Sequence, residues 1–145
     1  MKTRVGFVSN SSSTSFVVIN TRNGYDTPPW GIVLTVDHRL GEVEFGWGPD
    51  KLRGNGDRVI FAYLQALYDG SPEYISMLEQ VIMSNTQVKA IDWKVVIDSY
   101  TSSDYGYIDH QSVGGENLEI FNDADTLRDF LFGKGSLIVL DNDNH

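Results

Sequence analysis

The chain contains no cysteine. That excludes a disulfide framework, a thiol nucleophile and a thiolate metal site, and it fits a reducing compartment. No apolar run approaches the ~20 residues needed to cross a bilayer as a helix. Lys2 and Arg4 are basic, but no apolar segment of signal-peptide type follows them, so no secretory leader is expected. Positive charge is scarce: 11 Lys and Arg stand against 20 Asp and Glu, a formal net charge of −9. Such a chain repels phosphate, which disfavours nucleic acid as a partner. It suits solubility and a basic protein partner.

A length of 145 residues fits a single domain. Ser15 to Asn20 reads as a strand, because Phe16, Val17, Val18 and Ile19 form the continuous apolar run of a strand buried on both faces. Gly31 to Asp37 and Glu42 to Trp47 read as two more strands. Arg39-Leu40-Gly41 is placed to turn between them in an antiparallel hairpin. The glycine-rich stretch from Gly46 to Gly56 reads as a loop. Asp57 then starts a helix whose face is Val59, Ile60, Tyr63, Leu64, Leu67 and Tyr68, and Gly70 ends it. Ser71-Pro72-Glu73 is a helix start by cap, proline and first-turn acid.

Ile91 to Tyr100, Tyr105 to His110 and Leu118 to Phe121 read as strands. Asp123 caps a third helix with Leu127, Phe130 and Leu131 inward, and Ser136 to Leu140 is a final strand. The expected fold is α+β: a single domain over residues 1–145, with one mixed or mostly antiparallel sheet and about three helices packed on it. Residues 141–145 read as an acidic tail.

Four polar groupings are candidate sites. Ser9, Ser11, Ser12, Ser13, Thr14 and Ser15, with Asn10 among them, place six hydroxyls between two apolar segments, as a loop that could bind an anion through hydroxyls and backbone N–H groups. The glycine spacing and lysine of a nucleotide phosphate loop are missing. Asp37-His38 and Asp109-His110 each fall near a strand end, so imidazoles and carboxylates could meet there around a divalent metal. Neighbours on a strand point to opposite faces, which lets only one member of each pair face a shared site. Asp141 and Asp143 resemble the opening of a calcium loop without its glycine and closing glutamate. Trp30, Trp47, Trp93, Tyr100, Tyr105 and Tyr107 suit cross-strand packing, or interface anchoring where exposed.

The stretch Arg4 to Val18, with its Gly-Phe-Val-Ser-Asn-Ser-Ser-Ser and Ser-Phe, resembles the opening of a group of small proteins encoded mainly by tailed bacteriophages and some bacteria. Ile108-Asp109-His110-Gln111-Ser112, and Phe130-Leu131-Phe132 with the later Asp141-Asn142-Asp143-Asn144, are similar to further pieces of it. Thr14 stands where the group has a serine. The resemblance implies a phage-type accessory protein acting in the host cytoplasm, and it carries no catalytic residues or cofactor. The leading expectation is therefore a non-catalytic protein that binds a host or viral protein, with Ser9 to Ser15 and exposed aromatics in the contact. One alternative is a small metal-dependent hydrolase using Asp109, His110 and His38, with the serine loop holding an anion. Another is a homo-oligomeric virion or assembly component.

Overall fold

The computed structural model describes residues 13–46 and 49–142. In chain order the elements are β1 (Ser13–Val18), β2 (Val33–Val36), β3 (Glu44–Phe45), β4 (Asp50–Leu52), α1 (Asn55–Asp69), α2 (Pro72–Asn85), β5 (Ala90–Trp93) and β6 (Tyr107–Ile108). A 3-10 turn (His110–Ser112), a 3-10 helix (Gly115–Phe121), α3 (Ala124–Phe132) and β7 (Leu137–Asn142) complete the chain. The class is α+β, as the sequence predicts, but among the described residues three small sheets replace the single one.

The largest sheet has the order β1-β7-β4, and both of its pairings are antiparallel. β7 is its central strand, with Leu137, Ile138 and Leu140 buried. Its last residues, Asp141 and Asn142, pair with Thr14 and Ser13, so the strand extends into what reads from sequence as tail. β4 is a strand the sequence hides. Asp-Lys-Leu is polar and glycine-flanked, and only the unpaired side of β7 makes it extended.

The expected hairpin between β2 and β3 does not form. β2 pairs in parallel with β5, and β3 pairs in parallel with β6. The linker explains the divergence. The Asp37 carboxylate accepts from the backbone N–H of Arg39 (2.9 Å) and from its guanidinium (2.6 and 3.1 Å), which fixes a local turn. Glu42 N–H then donates to Asp57 at the head of α1 (2.7 Å), which leads the chain away from β2.

α1 is buried nearly all round. Every residue from Arg58 to Ala66 is buried, so the single apolar face read from sequence understates its burial. It starts at Gly54, with Asp57 reaching back to accept from Gly54 N–H (3.2 Å), and ends at Gly70 in the left-handed region (φ 69°). α2 begins at the expected Ser71-Pro72 cap, and Leu78, Val81 and Ile82 face the core. Tyr63 stacks on Trp93 with ring centroids 4.0 Å apart, and Tyr74 stacks on Phe121 at 4.4 Å. These contacts tie α1 to β5 and α2 to the 3-10 helix.

Leu118 to Phe121 is helical rather than extended. Asn117 and Ile120 are buried at a spacing of three that matches the 3-10 turn, and Phe121 is buried beside Ile120. Gly114 enters it at φ 75°, which favours glycine. The strand expected over Ile91 to Tyr100 stops at Trp93, and beyond it only Val96 bridges to Tyr105.

Candidate functional site

α1 carries two buried polar side chains that organise the chain around it, Arg58 and Gln65. Arg58 is 1% exposed. Its Nη1 donates to the carbonyls of Phe130 (3.0 Å) and Gly133 (2.9 Å). Its Nη2 donates to the Arg53 carbonyl (3.0 Å) and to Asp26 (3.3 Å). Asn55 Nδ2 adds a bond to the Leu131 carbonyl (2.9 Å). The last carbonyls of a helix lack partners of their own, and α3 has no basic residue in its last turn. Arg58 and Asn55 supply both the donors and the positive charge there. Burial pushes the Arg58 guanidinium down from its usual range, and the hydrogen bond it donates to Asp26 opposes that shift.

Gln65, fully buried, holds the segment that follows β6. Its Nε2 donates to the Ser112 carbonyl (2.8 Å) and its Oε1 accepts from Gly114 N–H (2.9 Å). Asn117 Nδ2 donates to the same Ser112 carbonyl (2.9 Å) and to the Ser15 carbonyl (3.0 Å). Ser112 Oγ accepts from Ser15 N–H. The described end of the serine run, Ser15, is thus fastened to the 3-10 turn His110–Ser112. β1 also pairs with β7. The start of β1, the His110–Ser112 turn and the Asp141-Asn142 end of β7 therefore lie together.

The remaining candidates are distributed as follows. Ser9, Asn10, Ser11, Ser12 and Asp143 lie outside the described residues, and Ser13 contributes its backbone to β1. Ser15 is a buried strand residue rather than part of a surface loop. Asp109 caps the 3-10 turn by accepting from Gln111 N–H (3.3 Å), and burial pushes its carboxyl up. Gly46 adopts φ 118° directly against Asp109, where a Cβ would overlap the aspartate Cβ. His110 is exposed beside a shallow cleft with Tyr68, Tyr107, Ile108 and Val113. Asp141 forms part of the β7 ladder.

His38 meets Asp104, which the sequence did not single out. Its Nδ1 lies 2.8 Å from Asp104 Oδ1, and the same oxygen accepts from His38 N–H at 2.9 Å. Among the described residues, Asp37, His38 and Asp104 form the one group of three ligating side chains, their donor atoms within 4.8 Å, and Asp109 and His110 do not join it. The Arg39 guanidinium holds Asp37 below the usual carboxylate range, and the His38 bond does the same for Asp104. Both carboxylates thus have partners without an ion, and the group pins the Asp37–Leu40 turn to the Asp104 loop.

Of the aromatics, Trp30 and Trp93 pack against the core, Trp47 lies outside the described residues, and Tyr100 is exposed against Tyr105. Among the described residues no helix is long and apolar enough to cross a membrane.

A different surface stands out at β2. Ile32 and Val33, consecutive residues at the start of the strand, are 58% and 59% exposed. Val33 is paired with exposed Ala90, and the Ile32 carbonyl accepts from Lys89 (2.7 Å) and Ala90 (3.2 Å). β2 has β5 as its neighbour on one side and no strand on the other among the described residues. Parallel strands are ordinarily buried within larger sheets, so this edge is incomplete by the usual standard.

No family model matches the chain, and neither a curated protein nor a solved structure matches it.

Proposed function

We propose that the protein is a non-catalytic accessory protein of the phage type its opening resembles, binding a host or viral protein in the host cytoplasm. The observation that carries this reading is the open edge of β2 with adjacent, exposed Ile32 and Val33. An extended segment of a partner would add a strand there. Its backbone would supply hydrogen bonds and its apolar side chains would cover Ile32 and Val33. The net charge of −9 favours a partner with basic residues flanking that segment, and association should then weaken with salt.

The test is affinity capture from bacterial lysate with wild-type protein and the Ile32→Ser/Val33→Ser double variant, at low and high salt. The reading predicts a basic protein retained by wild type at low salt and lost from the double variant, with the melting temperature unchanged. Equal retention by both proteins contradicts it, as does capture of no protein. Sedimentation over a concentration range identifies the case in which a second copy of this chain occupies the edge.

The alternative reading is a metal-dependent hydrolase, favoured by the closeness of Asp37, His38 and Asp104. A divalent ion there would have to displace Arg39 from Asp37. Titration with Zn2+ or Mn2+ that raised the melting temperature of wild type and not of His38→Ala would support it.

A further inference from the structure

A cavity of about 280 Å³ opens between the head of α1 and the turn that follows α3, lined by Asp26, Arg53, Arg58, Lys134, Gly135 and Ser136. Three of these residues are cationic and one is acidic, so the lining carries an excess of two positive charges. That excess stands on a chain whose net charge is −9. The backbone of the wall is fixed. Lys134 N–H donates to the Gly24 carbonyl (2.9 Å), Gly135 N–H to the Asn20 carbonyl (3.2 Å) and Ser136 N–H to the Gly133 carbonyl (3.0 Å).

The charged side chains divide into two kinds. Arg58 is buried, and its guanidinium donates to the carbonyls of Gly54, Phe130, Gly133 and Arg53 and to Asp26. It therefore gives the cavity charge and no donor. Asp26 Oδ2 accepts from both Arg58 Nη2 and Asn55 Nδ2 (3.3 Å each), so the carboxylate is answered within the wall. Arg53 and Lys134 are exposed, and among the described residues their side chains have neither a hydrogen bond nor an ion pair. Arg39, Lys94 and Arg128, by contrast, each hold a carboxylate.

Two unengaged cations in front of a buried third select an oxyanion. A guanidinium presents a fork of N–H donors to paired oxygens, and an ammonium adds a point charge. A carboxylate brings a single charge. A phosphate monoester carries roughly −1.5 to −2 at neutral pH, which matches the excess. A nucleic acid would run on beyond the cavity over the surface of an acidic chain, whereas a single phosphate group stays within it.

We propose that this cavity binds a phosphate group, its oxygens held by Arg53 and Lys134 with the charge of Arg58 behind them. The site stands independently of the β2 edge. Free phosphate and a phosphate monoester carry the same head.

The experiment is a titration of the 15N-labelled protein with sodium phosphate, and in a second arm with glycerol phosphate, following backbone amide shifts at neutral pH and constant ionic strength. Sodium acetate and sodium chloride are the controls. Saturable shifts are expected at Arg53, Lys134, Gly135 and Ser136. Binding should be at least tenfold weaker in Arg53→Gln and in Lys134→Gln, and unchanged in Lys89→Gln, which alters an exposed cation outside the lining. The two lining side chains are exposed and unbonded, so both variants should keep the wild-type melting temperature. Tighter binding of glycerol phosphate assigns the site to a monoester, and tighter binding of inorganic phosphate assigns it to the free ion. An equal response to acetate or chloride, equal weakening by Lys89→Gln, unaltered binding by the two lining variants, or no saturable shift with either phosphate would overturn the proposal.

Discussion

Arg58→Met removes the guanidinium that joins α1 to the end of α3. The side chain is buried, and it donates to the carbonyls of Phe130, Gly133 and Arg53 and to Asp26. Methionine replaces much of the volume and none of the donors. The Phe130 carbonyl at the end of α3 then loses its partner, a cost of about 1–3 kcal/mol for a group left buried and unpaired, while the Gly133 carbonyl keeps the Ser136 N–H (3.0 Å). Asp26 is partly exposed and keeps Asn55 (3.3 Å), so it rehydrates in part and adds little. Losing the guanidinium donors to the Phe130 and Arg53 carbonyls should cost about 2–4 kcal/mol in all, a large share of the roughly 5–15 kcal/mol that stabilises an ordinary domain. At about 3 °C per kcal/mol for a chain of this size, the melting temperature should fall by roughly 6 °C or more. Arg58→Lys keeps the charge but cannot reach all the carbonyls, and should lie between the two. The assay is urea unfolding followed by circular dichroism, with the m-value held constant as the check that the same unfolding is compared. An Arg58→Met protein within about 1 kcal/mol of wild type, the scale of one ordinary hydrogen bond, would refute the reasoning.

Other expectations follow from the same geometry. Gln65→Leu should cost about 1–3 kcal/mol by unpairing Gly114 N–H and weakening the hold on Ser112, and it should speed amide exchange at Gly114 in hydrogen-exchange measurements. The folded values of Asp37 and Asp104 lie below the ordinary carboxylate range, so their contribution is present above the unfolded pKa and is lost as pH falls through the folded values. The stability gap between wild type and Asp104→Asn should therefore shrink on acidification, as read by urea midpoints at neutral pH and below the ordinary aspartate value. Asp109 behaves oppositely: burial raises its folded value, so its contribution is present below the unfolded pKa and is lost as pH rises through the folded value. Asp109→Asn can still cap Gln111 N–H, and it should gain in melting temperature relative to wild type as pH rises from acid to neutral. Gly46→Ala should lower the melting temperature, because φ 118° and the contact with Asp109 both exclude a Cβ.

Much of the fold is legible in the sequence where local chemistry decides it. Ser71-Pro72-Glu73 starts α2, and Asp123 starts α3 by accepting from Thr126 N–H (2.7 Å). The apolar runs Phe16 to Val18 and Leu137 to Leu140 lie in strands β1 and β7. Pairing was not legible, because it depends on partners distant in the chain. β4 is extended only because β7 offers an edge, and the β2–β3 hairpin loses to parallel pairings with β5 and β6. Leu118 to Phe121 is short and apolar, so strand and helix could not be separated by pattern there.

The site was legible only in outline. Ser15 and the Asp109-His110 segment were singled out, but their link runs through Ser112, Asn117 and Gln65, whose roles are tertiary. Gln65 between Leu64 and Ala66, and Arg58 next to Val59, carried a faint signal: polar residues on a helix that is apolar on most sides. His38 finds Asp104 rather than His110 because the turn at Asp37–Leu40 sends it to the loop before β6.

The central claim is that β2 receives a partner strand. Its most direct test is the Kd of the captured partner for wild type and for Ile32→Ser/Val33→Ser, measured by calorimetry at low salt. Removing two apolar side chains that the partner would cover should weaken binding about tenfold or more, with the melting temperature of the free protein unchanged. Equal Kd values for the two proteins would contradict the account.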